Sequence, residues 1–455
     1  MDSEILSRLQ FAFTLSYHII FPTLTIGLAC YIATMEGLWL KTANQKYAQQ
    51  VNFWLKPFAV TFGMGVVTGV VLSYEFGANF SGFSEVAGPV IGPLMAYEVM
   101  TAFFLEAGFL GIMLFGRKRV HPKIYFGATA TVAVGTLMSS FWIIAANSWM
   151  QTPAGTEFVN GHFEVISWWQ VIFNPSFPYR LTHMLLASFV TTGFVVSGVS
   201  AAILLKSQTS TLARLGLKQA IVALVILTPL QIFVGDLHGL NVKEHQPIKV
   251  AAMEGIWDTE KGAGFRILAW PNKKEGKNDW EITIPKLASL ILTHDLNGEI
   301  QGLNSVPKDQ IPNVGLVFYS FRVMLGLGVL MILCAFWSGW LLIKGKLWQS
   351  TFSLKWLKLM IPSGFIATLA GWYVAEVGRQ PWVIYNLVRT HDVYSPLAAE
   401  KVALSLTLFV VCYSVLFWAY LYFMKKIIRH GAGLAVSEQQ LGSAQPIQQE
   451  VNHHV

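Results

Sequence analysis

Charge is what this sequence has least of. Only 13% of its 455 residues are Asp, Glu, Lys or Arg, whereas 54% are hydrophobic and the mean hydropathy is +0.50. Average soluble domains carry about 25% charged residues, so a chain this poor in charge cannot cover a soluble surface of its length. Cysteine is nearly absent. Cys30, Cys334 and Cys412 all lie inside apolar runs, no pair has metal-site spacing, and no disulfide framework is available. No internal repeat is evident. The opening MDSEILSRLQ has no basic stretch ahead of a small-residue cleavage site, so a cleavable signal peptide is not expected. The formal net charge of +7 could suggest nucleic acid. The basic residues instead cluster beside hydrophobic segments, as membrane topology requires, and no nucleic-acid partner is expected.

What is abundant is apolar and aromatic, with 16 Trp, 14 Tyr and 31 Phe. Crossing a bilayer takes about 20 mostly apolar residues. Such windows occur nine times, at 11–40, 54–79, 91–115, 124–146, 181–205, 217–238, 312–343, 357–378 and 402–424. The expected fold is all-α, a polytopic membrane bundle of about nine transmembrane helices filling residues 1–430. A polar segment, about 239–311, separates the sixth and seventh windows and holds the lysine-rich PNKKEGKND. The Gln-rich tail, 431–455, reads as disordered.

Lys and Arg in short loops set the orientation. One side holds Lys41 and Lys46; Arg117, Lys118, Arg119 and Lys123; Lys206, Arg214 and Lys218; Lys344, Lys346, Lys355 and Lys358; and Lys425, Lys426 and Arg429. The short segments of the other side hold only Arg8, Arg180, Arg379, Arg389 and Lys401. The first side is therefore expected to be cytoplasmic, with the N-terminus and the 239–311 loop outside and the C-terminus inside.

Ionisable groups in hydrocarbon are expensive and mark candidate functional sites. Here they are His18, Glu75, Glu98, Glu106, His183, Arg322 and Glu376. At about 1.5 Å per residue, His18 and Glu98 lie roughly 10 Å from the outer ends of their helices. His183 opens the fifth helix, Glu376 closes the eighth, and Arg322 and Met324 lie in the outer half of the seventh. Five helices thus aim polar or soft groups at one layer. Each residue alone also has a packing explanation: a lone His can be a hydrogen-bonded core residue, a Met is ordinarily core, and Glu376 could simply pair with Arg379. The shared depth favours function. His and Met are axial ligands of low-spin haem, and Arg beside such a ligand suits a propionate. Glu98 and Glu106, eight residues apart, share one broad side about 12 Å apart along the axis. Such a carboxylate ladder serves either a proton relay or a polar packing seam. Trp372 and Glu376 form an i,i+4 pair.

Six motifs in order give these residues a family. They are SRLQFAFTLSYHIIFP, PLMAYEVMTAFFLEAG, FWIIAANSWMQTP, KVAAMEGIW, FRVM and GWYVAEVGRQPW. Together they closely resemble subunit I of the cytochrome bd family of quinol:oxygen oxidoreductases, over nearly the whole chain to about Lys426. The resemblance implies three haems. His183 and Met324 match the axial ligands of a low-spin haem b. His18 and Glu376 match those of two high-spin haems, haem b and either haem d or haem b in its place. Glu98 matches a carboxylate beside the two-haem site, and Glu106 and Ser139 match members of the proton-entry route. Trp372 matches an aromatic among the haems. Arg8, Arg322 and Arg379 match positions near propionates or the site rim. Lys249 and Glu254 match residues of quinol oxidation, and Asp236 lies in a matching GD pair. The family also implies ubiquinol and oxygen as substrates, a partner subunit II, a possible single-helix accessory subunit, and the bacterial inner membrane. The loop after Glu254 is shorter than in the long-loop branch, and GRQPWVIYN resembles the cyanide-insensitive branch. A proton-coupled transporter is the rival from another class. It leaves His183 with Met324 unexplained. A haem-copper oxidase needs more intramembrane histidines than the two clear ones here.

Overall fold

Polar caps mark where five of the long helices begin. In the computed structural model, which describes residues 2–443, Asn44 accepts from the Lys46 backbone N–H at 3.1 Å and opens a helix, as does His121, followed by Pro122. Ser210, Asn313 and Ser350 do the same from the residue three ahead. Each side chain satisfies one of the orphan N–H groups of a first turn. The long helices are α1 (Ser3–Thr42), α2 (Gln45–Asn79), α3 (Ser81–Phe115), α4 (Pro122–Gln151) and α5 (Phe177–Leu204). They continue as α6 (Thr211–His245), α7 (Val314–Ile343), α8 (Thr351–Val377) and α9 (Ala399–Ser443). All nine are long and apolar enough to cross a membrane.

α5 is the central helix. Its most apolar window is 78% buried, against 12% in α3 and 11% in α9. Small residues make that possible, because lipid offers no hydrophobic drive and helices associate by close approach. Gly27 of α1 abuts Thr192, and Gly364 of α8 abuts Thr191; a Cβ at either glycine would run into those threonines. Thr192 Oγ1 also donates to the Leu24 carbonyl at 3.3 Å. Around this seam Leu28, Ile32, Trp54, Phe58, Phe194, Leu224 and Cys334 form the main core. α9 packs at the periphery, where Tyr413 and Tyr420 meet Tyr17 and Phe21 of α1.

Three local departures matter for the site. α6 continues to His245, so 239–245 are helical and the loop opens only at Gln246. α3 contains one π-helical stretch, Ala102–Ala107, with Glu106 inside it. The loop between α6 and α7 is itself folded: a short helix Pro247–Glu254, a hairpin of Phe265–Asn272 with Lys277–Ile284, and a helix Leu287–Thr293. Its own core is Val250, Ile256, Ala263, Ala288, Leu292 and Ile300. Gly255, at φ +65°, ends the short helix directly after Glu254. α9 runs on into the segment that opens at Gly431, and 444–455 of the tail lie outside the described residues.

Candidate functional site

The centre of the site is a buried polar cluster where four segments meet. Glu376, near the end of α8, accepts from Asn147 Nδ2 at 3.0 Å and Gln151 Nε2 at 3.2 Å on one oxygen. Its other oxygen accepts from Arg379 Nη2 at 2.5 Å. Asn147 and Gln151 stand one turn apart on α4, so one helix face supplies both amides. Asn147 turns its carbonyl oxygen to Arg180 of α5. Gln151 turns its own to Lys249 Nζ at 2.6 Å and to Gln246 Nε2 at 3.1 Å. Lys249 is 2% exposed. Burial, with Arg180 and Arg379 nearby, holds its ammonium well below the usual lysine range, against the pull of Glu376. A cavity of about 230 Å³ opens beside it, lined by Lys249, His245, Gln380, Trp382 and Tyr385 among others.

The second cluster belongs to the loop. Glu254, on the short helix, accepts from Arg322 Nη2 of α7 at 2.7 Å, and Arg322 Nε donates to the Arg266 carbonyl at 2.7 Å. The Arg322 guanidinium lies 4.3 Å from the Phe265 ring centroid and 4.6 Å from that of Phe318. Arg266 is held in turn by Glu260 and Glu281. Burial raises Glu254 above the ordinary carboxylate range, and the Arg322 charge opposes the rise. Lys249 and Glu254 share one motif and one short helix, yet they serve two different clusters. Asp236 pairs instead with exposed His294 at 3.5 Å.

The other three candidate iron ligands stand apart from that cluster, each against a glycine of a neighbouring helix. His18 bonds Thr68 at 2.9 Å and faces Gly69, where a Cβ would come within 3.2 Å of the ring. His183 lies 3.2 Å from Gln231 Nε2, with its ring 5.6 Å from that of His238 and close to Gly235. Met324 Sδ would be 2.8 Å from a Cβ at Gly371. Trp372, next along α8, packs near Ile144, Ala145 and Phe177, and its Nε1 has no partner. Among the described residues no three His, Cys, Asp or Glu gather as a metal cluster. Lone donors suit an iron already held by a macrocycle, which needs only axial ligands from protein. Buried N–H groups without acceptors, on Arg180 Nε, Arg379 Nε and Nη1, and Arg322 Nη1, suit that group's carboxylates. The residues present therefore fit haem.

On α3, Glu98 accepts from Ser139 Oγ of α4 at 2.8 Å, joining two residues of the expected proton route. Glu106 is buried and lies against Gly135, where a Cβ would press on its Cγ. Arg8 donates to Glu4 at 3.4 Å and to Gln380 at 3.1 Å. Glu75 is fully enclosed, bonded by Thr14 and Gln10.

Sequence reading assigned no role to Asn147, Gln151, Arg180, Gln246, Arg266 or His238. The first two lie inside the quoted FWIIAANSWMQTP motif, and Arg180 stands one turn before His183. Those positions were the available signals.

A family model described as "Cytochrome bd terminal oxidase subunit I" matches residues 6–432. Cytochrome bd ubiquinol oxidase subunit 1 of Bacillus subtilis (strain 168) is 34% identical over all of both chains. Cytochrome bd-II ubiquinol oxidase subunit 1 of Escherichia coli (strain K12) is 31% identical over 95% of this chain and 98% of that one. Among solved structures, bd oxidase from Geobacillus thermodenitrificans superposes with a TM-score of 0.88 at 30% identity, covering 94% of this chain and 99% of that one.

Proposed function

The chain belongs to the cytochrome bd terminal oxidase subunit I family, and from that premise we propose that it is the haem-carrying subunit of an electrogenic quinol:oxygen oxidoreductase. Its substrate is ubiquinol, as the names of the relatives from Bacillus subtilis and Escherichia coli suggest for those proteins. It resides in a bacterial inner membrane with the N-terminus outside and the C-terminus in the cytoplasm. It works with a subunit II, with or without a single-helix accessory chain. The observation that carries the reading is the set of donors His18, His183, Met324 and Glu376, one to a helix, together with buried guanidinium N–H groups without acceptors on Arg180, Arg379 and Arg322. Three haems, when bound, supply the electron transfer and the oxygen chemistry. His183 with Met324 would hold the low-spin one, and His18 and Glu376 would hold the other two.

The chain's own residues do the rest. Glu254 takes a proton from the quinol hydroxyl at the outer loop, leaving the negative charge on the quinol oxygen, and Arg322 holds the Glu254 carboxylate in place for the transfer. Arg266 fixes Arg322 through its carbonyl. Lys249 acts on the Glu376 cluster through Gln151. Asp236 and Arg8 stand at the rim. Trp372 lies between helices that carry ligands and suits electron relay. Protons for water enter from the cytoplasm by Glu106, Ser139 and Glu98. Because quinol protons leave outside, charge separates without a pump. The short loop and GRQPWVIYN support a place in the cyanide-insensitive-like branch. A dithionite-reduced minus oxidised spectrum of the purified complex, with quinol-driven oxygen uptake, tests this. Haem bands with uptake support it, and a colourless complex refutes it.

A further inference from the structure

The charge pattern treats Arg180 as one basic residue among several on the outer side; the fold gives it a particular place. It stands on α5 three residues before His183, a spacing that puts both on neighbouring parts of one helix face. It is 7% exposed. It donates through Nη2 to Asn147 Oδ1, and Asn147 Nδ2 donates at 3.0 Å to Glu376 Oε1. That orientation of the amide is the one the network requires, with oxygen toward the cation and nitrogen toward the carboxylate. One side chain of α4 therefore links the helix of one candidate ligand to another ligand.

The charges around this link do not balance. Arg180, Arg379 and Lys249 converge on Glu376. Both Glu376 oxygens are already taken, by Asn147 with Gln151 and by Arg379. Arg180 Nε and Arg379 Nε and Nη1 are buried with no acceptor. Unused guanidinium N–H groups in a fixed fork call for a second planar anion, and a carboxylate is the group that fits a fork.

We infer that Arg180 holds a propionate carboxylate of the haem on His183 and, through Asn147, couples it to the Glu376 site; this rests on the haem reading above. Arg180 is a positioning residue, acting on the haem's potential and seat. Removing a positive charge beside an iron favours its more positive, oxidised form, so the charge raises the reduction potential.

The test is a redox titration of the assembled oxidase with haem content measured alongside. Arg180→Gln is expected to keep its haems and to reduce its low-spin haem only at a lower potential. Arg180→Lys keeps the charge without the fork and is expected to shift the same way by less. Unchanged low-spin potential in either variant overturns the inference, as does a shift confined to the high-spin haems. Should Arg180→Gln fail to assemble, Arg180→Lys alone decides by the same criterion. His183→Ala separates this from the underlying reading. Loss of the low-spin band there, with unshifted Arg180 variants, refutes only the propionate contact. A low-spin band that survives His183→Ala refutes the ligand assignment and the inference together.

Discussion

Glu254 and Arg322 lie 68 residues apart in sequence and meet at 2.7 Å, Glu254 buried and Arg322 largely so, where the loop between α6 and α7 rests on α7. The contact joins a loop residue to a membrane helix and gives the loop a fixed seat. It also sets the chemistry of the carboxylate. Burial favours the neutral acid, and the guanidinium favours the carboxylate.

A base must be deprotonated to work, so activity falls as pH drops through its pKa. An ordinary Glu titrates near ~4.3, and Glu254 lies above that range. The acid limb of kcat/KM for quinol is therefore expected above the usual carboxylate region. Arg322→Gln removes the opposing charge and should move that limb to still higher pH. Glu254→Ala should lower quinol oxidation by about 100-fold or more, while dithionite still reduces every haem. Wild-type turnover in Glu254→Ala would place quinol chemistry elsewhere.

Met324→Leu keeps the side chain's bulk and removes its sulfur. The expected result is an assembled protein whose low-spin haem signal turns high-spin or otherwise changes, with slower quinol oxidation. An unaltered low-spin reduced spectrum would rule out the sulfur as a ligand.

On the opposite side of the bundle, Glu36 is enclosed on α1 and pairs with Arg117 at 3.1 Å. The Arg117 guanidinium also lies 5.2 Å from the Trp39 ring and 5.5 Å from that of Tyr125. Removing one partner of a buried pair leaves an uncompensated charge, at a cost of roughly 3–5 kcal/mol. Arg117→Leu should lower thermal stability in detergent, and adding Glu36→Leu should recover much of the loss. Equal stability of the single and double variants would show that the pair carries no such charge penalty.

The bundle and its four candidate ligands were legible because both are matters of residue type in apolar context. Nine apolar windows became nine long helices, and His18, His183, Met324 and Glu376 stood out as costly or soft groups at one depth. The supporting polar cluster was not legible. Asn147 and Gln151 are neutral amides, unremarkable in a helix, and they meet Glu376 from more than 200 residues away. Nor did the polar loop announce its hairpin. KNDWEITI alternates in part, and Gly276 at φ +67° marks the turn before it, but lysine-rich polarity masked both. The π-helical stretch at Glu106 left no pattern, since one inserted residue changes helical phase without changing composition.

That stretch bears on the last prediction. A π-helical turn re-aims the side chains it contains, and such turns recur at functional sites. Here it presents Glu106 to Gly135 of α4, the helix that also offers Ser139 to Glu98. Glu106 lies about 13 Å from the end of α3 at Phe115 by helical rise, and Glu98 lies nearer the start of the same helix. In the orientation proposed above, a carrier in this position can reload from the cytoplasm and pass protons on to Glu98. Glu106→Gln keeps shape and hydrogen bonding but carries no proton. Haems should load normally, while quinol-driven membrane potential in proteoliposomes falls steeply. Gly135→Ala offers an independent check. Its Cβ would sit 2.7 Å from the Glu106 Cγ, so the carboxylate must shift while remaining present. It should slow charge separation by less than Glu106→Gln does. If Glu106 only packs, Gln fills its place and the potential develops at the wild-type rate. That outcome would remove Glu106 from the route and leave the ligand assignments standing, because they depend on none of its chemistry.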